Sequence, residues 1–456
     1  MSGLRNHIRR AAQSLFGKRP DVYLVKFDAY WHPYIPYALL HVGAHLKQAG
    51  FSYRILHNIW QNSAESELQS FAREVIAARP QWVGVSVITG RSAYFSARFS
   101  RLIKEHSTIP VVWGGIHPTI MPEQCLRQDY VDYVVLGEGE ERAAELARCL
   151  RSGEDPSRLD GVGGKRDGEM FINPPAGKVN VDSIEIDWSS DLRPYLANGG
   201  LSYISSRGCP YRCDFCVNGA LDNHAWRPVA EDRVLDDIAF LKRKYGIKYV
   251  HFNDDNFFVD RDRAFRILAS VGLRWFAETR VNYLDEEFAR RVKDTARCEK
   301  LMAGGESGSE NVLKAIRKGH TREHMLEAAR LIGVHKIPSS WSFIIGMPVE
   351  SCADIRETFR FIKTLEGLAE APFCKPGLYI PYPGTVLYDR AVELGFVPPD
   401  EPEGWIACER YTGANRATHE ILTYPWVDNR KLVAALDLMR DREYEKIDRL
   451  FREDQA

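Results

Sequence analysis

From Asp21 onward, short apolar runs alternate with amphipathic stretches. Short continuous apolar runs read as buried strands, and apolar residues three and four apart read as helix faces. On that basis strands are predicted at Val22–Phe27, Tyr53–Leu56, Trp82–Val87, Val111–Trp113 and Tyr133–Leu136. Helices are predicted between them at Leu39–Ala49, stopped by Gly50, at Ser66–Ala78 and at Ala93–Glu105, and Glu141–Arg151 closes the series. Strands separated by helices predict a doubly wound parallel sheet, an α/β fold that takes its ligands at the C-terminal ends of the strands. Those ends hold Asp28–Pro33, Thr89–Arg91, Gly114–Pro118 and Gly137–Glu140.

The pattern lapses over residues 153–195, which are rich in Gly, Asp and Pro and read as a linker carrying a small hairpin. A second series starts at Leu201. Its predicted strands are Leu201–Ser205, Tyr249–Asn253, Trp275–Thr279, Lys300–Ala303, Ser342–Ile345 and Gly377–Ile380. Helices are predicted at about 231–245, 261–271, 285–297, 309–333 and 352–366. Six such units predict a complete or partial (β/α)6 barrel with its chemistry on the loops after the strands. Asp428–Phe451 reads as a capping helix or helix pair.

Residues 1–19 carry Arg5, Arg9, Arg10, Lys18 and Arg19 and no acid. A basic terminal helix packed on its own protein is preferred there to a targeting or membrane-surface helix, and no signal peptide is expected because no apolar region follows the charges. The expected organisation is therefore a basic helix (1–19), a Rossmann-like domain (20–152), a linker (153–195), a barrel (196–390) and a helical C-terminal region (391–456).

Composition narrows the function. The 456 residues hold 61 Lys plus Arg against 62 Asp plus Glu, a net charge of −1. That balance argues against a nucleic-acid partner held by bulk electrostatics. With 45% hydrophobic and 27% charged residues the chain can bury real cores. No apolar run approaches the ~20 residues of a transmembrane segment. Nine cysteines are too few for a disulfide scaffold, and their scatter fits a reducing, cytoplasmic compartment.

Three of the nine are clustered. Cys209, Cys213 and Cys216 lie at spacing C-x3-C-x2-C directly after the first predicted barrel strand. A structural zinc site needs four closed ligands, usually in C-x2-C pairs. Cys298, Cys352, Cys374 and Cys408 are isolated and supply no second pair. Three thiols on one loop suit a [4Fe–4S] cluster with one iron left open. Cys298 and Cys374 read as core thiols rather than catalytic ones.

With Phe215 as the aromatic of C-x3-C-x-φ-C, the segment resembles the radical S-adenosylmethionine (SAM) enzymes. The resemblance implies that SAM chelates the open iron and is cleaved to a 5′-deoxyadenosyl radical, with an electron supplied by a donor of flavodoxin or ferredoxin type. Further segments agree in order over roughly residues 196–390. Asp254 and Asp255 follow the second strand, where they serve the SAM ammonium or cap a helix. Arg280 ends the third strand, suited to the SAM carboxylate or to pairing with Asp254 or Asp255. Glu306 and Ser307 lie in Gly304–Ser309 after the fourth strand, where the resemblance implies that Glu306 reaches the ribose. Ser342 and Ile344 lie on the fifth, the strand the resemblance places against adenine.

The first domain resembles the cobalamin-binding domain that precedes a subset of these enzymes. Ser86, Thr89, Gly114, Gly115, His117, Gly137 and Glu138 fit that subset. Relatives that ligate cobalt from below use D-x-H-x-x-G, and this chain reads Asp28-Ala29-Tyr30-Trp31-His32-Pro33 at that point. Cobalamin is therefore expected without that histidine, with Tyr30 or Trp31 near its lower face. His117 is expected to position the nucleotide tail or cap a turn. The two cofactors together imply transfer of a methyl group from SAM, via methylcobalamin, to an unactivated carbon of a small-molecule biosynthetic substrate. The rival is cyclisation, ring contraction or another rearrangement without methyl transfer.

Overall fold

The computed structural model describes residues 19–27, 34–58, 64–175, 177–196, 199–368, 370–409 and 423–452. The expected terminal helix up to residue 18, and Tyr30, Trp31 and His32, lie outside those residues.

The first sheet has seven strands: β1 (Val22–Phe27), β2 (Tyr53–Asn58), β3 (Trp82–Ser86), β4 (Val111–Gly114), β5 (Tyr133–Val135), β6 (Val162–Arg166) and β7 (Glu169–Ile172), in the order β2-β1-β3-β4-β5-β6-β7. The first five are parallel, each followed by a helix that returns the chain. β1 is buried along its whole length, because alternate side chains feed two cores. Val22 and Leu24 pack with Leu39 and Leu46 of helix Tyr37–Gln48 on one face. Tyr23, Val25 and Phe27 pack with Ala93 and Phe99 of helix Arg91–His106 on the other.

The stretch expected as a linker contributes to this sheet. Its hairpin, β6 and β7, adds antiparallel to β5. The sequence signal was weak because β6 reads VGGKR. Its glycines serve close packing: a Cβ at Gly163 would come within 2.8 Å of the Val134 side chain, and one at Gly164 within 2.7 Å of the Tyr133 ring.

The second sheet is a partial barrel of six parallel strands: β8 (Gly200–Tyr203), β11 (Tyr249–Phe252), β12 (Arg274–Arg280), β13 (Cys298–Glu306), β14 (Ser339–Ile345) and β15 (Phe373–Leu378). A short pair, β9 (Ser206–Arg207) with β10 (Arg227–Pro228), lies between β8 and β11. Outward residues such as Leu201, Trp275 and Trp341 pack beneath the helices in a large continuous core. One predicted helix, 309–333, is two: Glu310–Ala315 and Arg322–His335. Arg317 and Gly319 between them take positive φ, +53° and +79°, and that break carries Lys318 inward to Glu306. Asn429–Arg440 and Tyr444–Leu450 form the C-terminal helix pair. No helix among the described residues is long and apolar enough to cross a membrane.

Candidate active site

The cysteine loop leaves β9 through Gly208, whose φ is +79° and whose Cβ would fall 2.0 Å from the Ala225 carbonyl oxygen. Only glycine fits there. Gly208 N–H donates to Asp255 Oδ2 at 3.0 Å, and Cys216 N–H donates to the Cys213 carbonyl at 3.0 Å. Arg317 donates to Asp214 at 2.6 Å, and Leu387 N–H donates to the Asp214 carbonyl at 3.1 Å. The loop is thus held from several strand ends at once. Its three thiols are in no disulfide; Cys209 is buried, and Cys213 and Cys216 are half-buried. Burial pushes the Cys216 thiol up to about 11 and also raises Cys209. A metal is what would draw off those protons. Among the described residues no three His, Cys, Asp or Glu side chains converge tightly enough for a single ion.

Arg280 is buried and lies on this loop rather than on Asp254 or Asp255. It donates from Nη1 to Cys213 Sγ at 3.3 Å and from Nη2 to the Lys318 carbonyl. Its guanidinium stands 3.8 Å from the centroid of the Tyr211 ring. Phe215 and Ile344 both pack against one cluster formed by Val312, Ile316, Met347, Tyr379 and Leu387.

Carboxylates gather at the strand ends, in distinct situations. Asp254 is buried and accepts from Ser205 N–H at 3.1 Å, from Ser205 Oγ at 2.9 Å and from Ser206 Oγ. Burial outweighs those bonds and pushes it up to about 6. It pins the end of β8 and has little capacity for a ligand. Asp255 instead lines the large cavity described below. Glu278, on the inward face of β12, is pushed up to about 7 by burial and by the nearby charges of Asp255, Glu306 and Asp254. Glu306 is committed through one oxygen to a buried ion pair with Lys318 at 2.7 Å, and a Cβ at Gly304 would collide with that carboxylate. Ser307 turns outward, its hydroxyl 3.0 Å from that of Thr358. Ser342 and Ile344 stay half-buried on the inward face of β14, between the buried Trp341, Phe343 and Ile345.

The cavity, of about 410 Å³, lies between the ends of the first sheet and the barrel mouth. Ser86, Gly114, Gly115, Gly137 and Glu138 line one side, and Ser206, Arg207, Asn253 and Asp255 the other. Its apolar recess is formed by Leu24, Val112 and Val135 with Leu39, Val42 and Ala143 of the flanking helices. A Cβ at Gly114 would meet nothing closer than 3.8 Å, so the missing side chain widens the cavity. Thr119, which closes the Gly114–Thr119 run, ties two of the glycine turns together: it donates to the Gly115 carbonyl at 2.7 Å and accepts from Gly137 N–H at 2.9 Å. Thr89 and His117 do not line the cavity. They are buried and share a hydrogen bond of 3.1 Å, and burial pulls His117 down to about 4.

Glu138 sits in a clamp between the two sheets. Its carboxylate accepts from Arg207 Nη1 at 2.8 Å, Arg227 Nη2 at 2.6 Å and Val179 N–H at 2.7 Å. Burial raises its pKa, but the two arginines overcome that and hold it at about 2. Arg207 also pairs with Glu140 at 2.5 Å and contacts His41 Nδ1 at 3.0 Å. None of this was legible in the sequence, because the partners lie 69 and 89 positions from Glu138.

The chain matches the radical SAM superfamily over residues 203–362 and the B12 binding domain over residues 20–147. It is 34% identical over 331 residues to an uncharacterized methyltransferase of Pyrococcus horikoshii, a match spanning 69% of this chain and 70% of that protein. It is 27% identical over 319 residues to the anaerobic magnesium-protoporphyrin IX monomethyl ester cyclase of Synechocystis sp., spanning 67% of this chain and 63% of that enzyme. The radical SAM methyltransferase TsrM from Kitasatospora setae, solved with tryptophan and a SAM analog, shares the fold at a TM-score of 0.68 and 21% identity, covering 83% of this chain and 77% of that one.

Fold and site define a cobalamin-dependent radical SAM enzyme. The chain belongs to the methyltransferase-like family of cobalamin-binding radical SAM enzymes. Its cofactors are a [4Fe–4S] cluster, SAM and cobalamin. The donor sets fit them. Three cysteines on one loop, in no disulfide, suit a cube. Converging carboxylates that hold Glu278 partly protonated call for a cation such as the SAM ammonium. The recess flanked by glycine turns suits a corrin with its nucleotide tail.

Proposed function

We propose that this enzyme transfers a methyl group from SAM, by way of cobalamin, to an unactivated carbon of a small-molecule biosynthetic substrate. The observation that carries the reading is continuity: one cavity is lined by the glycine turns of the first sheet and by Asn253 and Asp255 of the barrel mouth. A group held in the first sheet therefore faces the strand ends of the second without a wall between them. When bound, the cluster and SAM supply a carbon-centred radical, and cobalamin carries the methyl group.

In this reading Cys209, Cys213 and Cys216 hold the cluster, and Arg280 donates to the Cys213 sulfur and stabilises its negative charge. Asp255 and Glu278 take the SAM ammonium; Phe215 and Ile344 provide apolar packing beside it. Glu306 is oriented by Lys318, with its second oxygen available to the ribose. Ser86, Gly114, Gly115 and Gly137 form the cobalamin cradle, while Glu138 locks the cradle to the cluster loop. Asp254, Ser307, Thr89 and His117 act as supports behind these contacts. Residues 20–152 carry cobalamin and 196–390 carry SAM. The electron comes from a flavodoxin- or ferredoxin-type donor in the cytoplasm.

The test is product accounting after anaerobic reconstitution with SAM, reductant and candidate substrate. S-adenosylhomocysteine and 5′-deoxyadenosine rising together with methylated product are expected. Turnover that yields 5′-deoxyadenosine without S-adenosylhomocysteine would establish the rearrangement reading, which the similarity to the cyclase favours.

A further inference from the structure

The segment after β11 reads Asp254-Asp255-Asn256-Phe257, and three of its four side chains have a task. Asp254 pins the end of β8, Asp255 accepts the Gly208 N–H at 3.0 Å, and Phe257 stacks on Phe252 with ring centroids 4.2 Å apart. Asn256 is left over. It is 2% exposed, and both its Nδ2 and its Oδ1 are buried with no hydrogen-bond partner among the described residues. A buried amide with both ends unsatisfied is costly, and it marks the place of a group that completes it.

The surroundings say which group. The Gly208–Asp255 bond ties the two segments together one residue ahead of Cys209 on one side and of Asn256 on the other. The amide borders the Cys209 thiol and the Tyr283 hydroxyl and favours the ionised form of each, without a hydrogen bond of proper length and angle to either. Donors crowd the same side of the loop. Arg280 Nη1 donates to Cys213 Sγ at 3.3 Å, its guanidinium covers the Tyr211 ring at 3.8 Å, and the Tyr211 hydroxyl donates to Tyr283 Oη at 2.7 Å. That bond leaves the Tyr283 proton free to point elsewhere, and Asn256 Oδ1 is an acceptor without a donor. An amide whose oxygen takes that proton presents its N–H groups to the cysteine loop. Hydrogen bonds to the sulfurs of an iron–sulfur cluster favour its more negative, reduced state and so raise its potential.

We propose that Asn256 donates an amide N–H to sulfur at the Cys209 edge of the cluster and, together with Arg280 at Cys213, raises the potential at which the cluster takes up its electron. The amide offers this donor without adding charge to a mouth already crowded with carboxylates. The inference rests on the cysteine loop holding the cluster and is independent of methyl transfer.

The test is an anaerobic redox titration of the reconstituted full chain with dithionite as the electron source, followed by electron paramagnetic resonance of the reduced cluster. Asn256→Leu, close in size and without a donor, should keep its iron and lower the ratio of reduced to oxidised cluster at a fixed potential by about threefold or more. Asn256→Asp, which adds a negative charge, should lower it further, and Asn256→Gln, which keeps the amide, should fall between leucine and wild type. In D2O the wild-type reduced cluster should lose the coupling of an exchangeable proton that Asn256→Leu never shows, a signature that packing alone would not move. Should Asn256→Leu hold no iron, Asn256→Asp decides by the same readings. If neither holds iron, recovery of the cluster by Asn256→Gln supports the contact and its failure overturns it. Wild-type potential with an unchanged proton coupling in Asn256→Leu would overturn the proposal. A wild-type chain that assembles no four-iron cluster would instead defeat the cluster assignment, and this proposal with it.

Discussion

Glu278 keeps a share of its proton at neutral pH, where most glutamates have released theirs, because it is largely desolvated and its neighbours are carboxylates. Its folded pKa, about 7, lies above the ordinary 4.5. The folded state therefore binds more protons than the unfolded one across that window, and stability falls as pH rises through it. Glu278→Gln should raise the melting temperature of the cofactor-free protein by a few degrees at pH 8, with a smaller gain at pH 6. The same variant should weaken SAM binding by about tenfold, through loss of a charged hydrogen bond. An unchanged melting temperature at pH 8 together with unchanged SAM affinity would refute this account. The cysteines make the sharper case. Alanine at Cys209, Cys213 or Cys216 should abolish the four-iron cluster, read by iron and sulfide analysis, and SAM cleavage with it. A variant that keeps a full cluster and normal cleavage would exclude that thiol as a ligand. The cysteines were legible in sequence because one short loop carries all three. Glu278 was passed over because its importance comes from Asp255 and Glu306, on other strands.

At the scale of elements, the strand-end loops decide geometry. Gly208→Ala forces a side chain into the Ala225 carbonyl at a positive φ, so the cysteine loop cannot close. Soluble protein with little or no iron is expected, together with a stability loss of at least about 2 kcal/mol in urea denaturation. Wild-type iron content in that variant would show that the loop tolerates another path. The loop after β14 behaves differently. Glu350 is buried, accepts from Met347 N–H at 2.8 Å, and is pushed up to about 8 by burial. Because its folded pKa is raised, its contribution to stability is lost as pH climbs from about 4.5 to 8. Glu350→Gln keeps an acceptor without a charge, so it should melt near wild type at pH 4.5 and well above it at pH 9. Equal melting at both values would mean that this carboxyl is ionised at no cost. Strands and helices were largely readable because the first five strands of one sheet and the six of the other are parallel and mostly buried. The hairpin at 162–172 was weaker, since its glycines carry no periodic signal.

Across the whole molecule, one clamp couples the two cofactor units. Glu138, from the first sheet, is held by Arg207, two residues before Cys209, and by Arg227. Glu138→Ala would leave Arg207 with Glu140 and Arg227 with Asp222 but nothing to bridge the two guanidinium groups in a largely buried setting. A loss of about 2 kcal/mol is expected, together with lower cobalamin retention on gel filtration. The wild-type clamp should weaken in acid, because a carboxyl depressed to about 2 gives up its stabilisation as pH falls from about 4.5. A Glu138→Ala protein that keeps cobalamin and shows wild-type acid stability would show that the units dock without this clamp.

The sequence by itself determined the two α/β units, the loop that carries three cysteines together, and the glycine turns. Those signals are local: a periodicity, a spacing, or a backbone conformation that one residue type permits. Tertiary structure alone decided which acids remain available to a ligand. Asp254 and Asp255 are adjacent in the chain, yet the first is used up by Ser205 and Ser206 while the second lines the cavity. It also decided that Glu138 is a clamp and that Ser307 faces Thr358. Each of those outcomes depends on where a partner distant in sequence comes to lie, and on how much water remains around the pair.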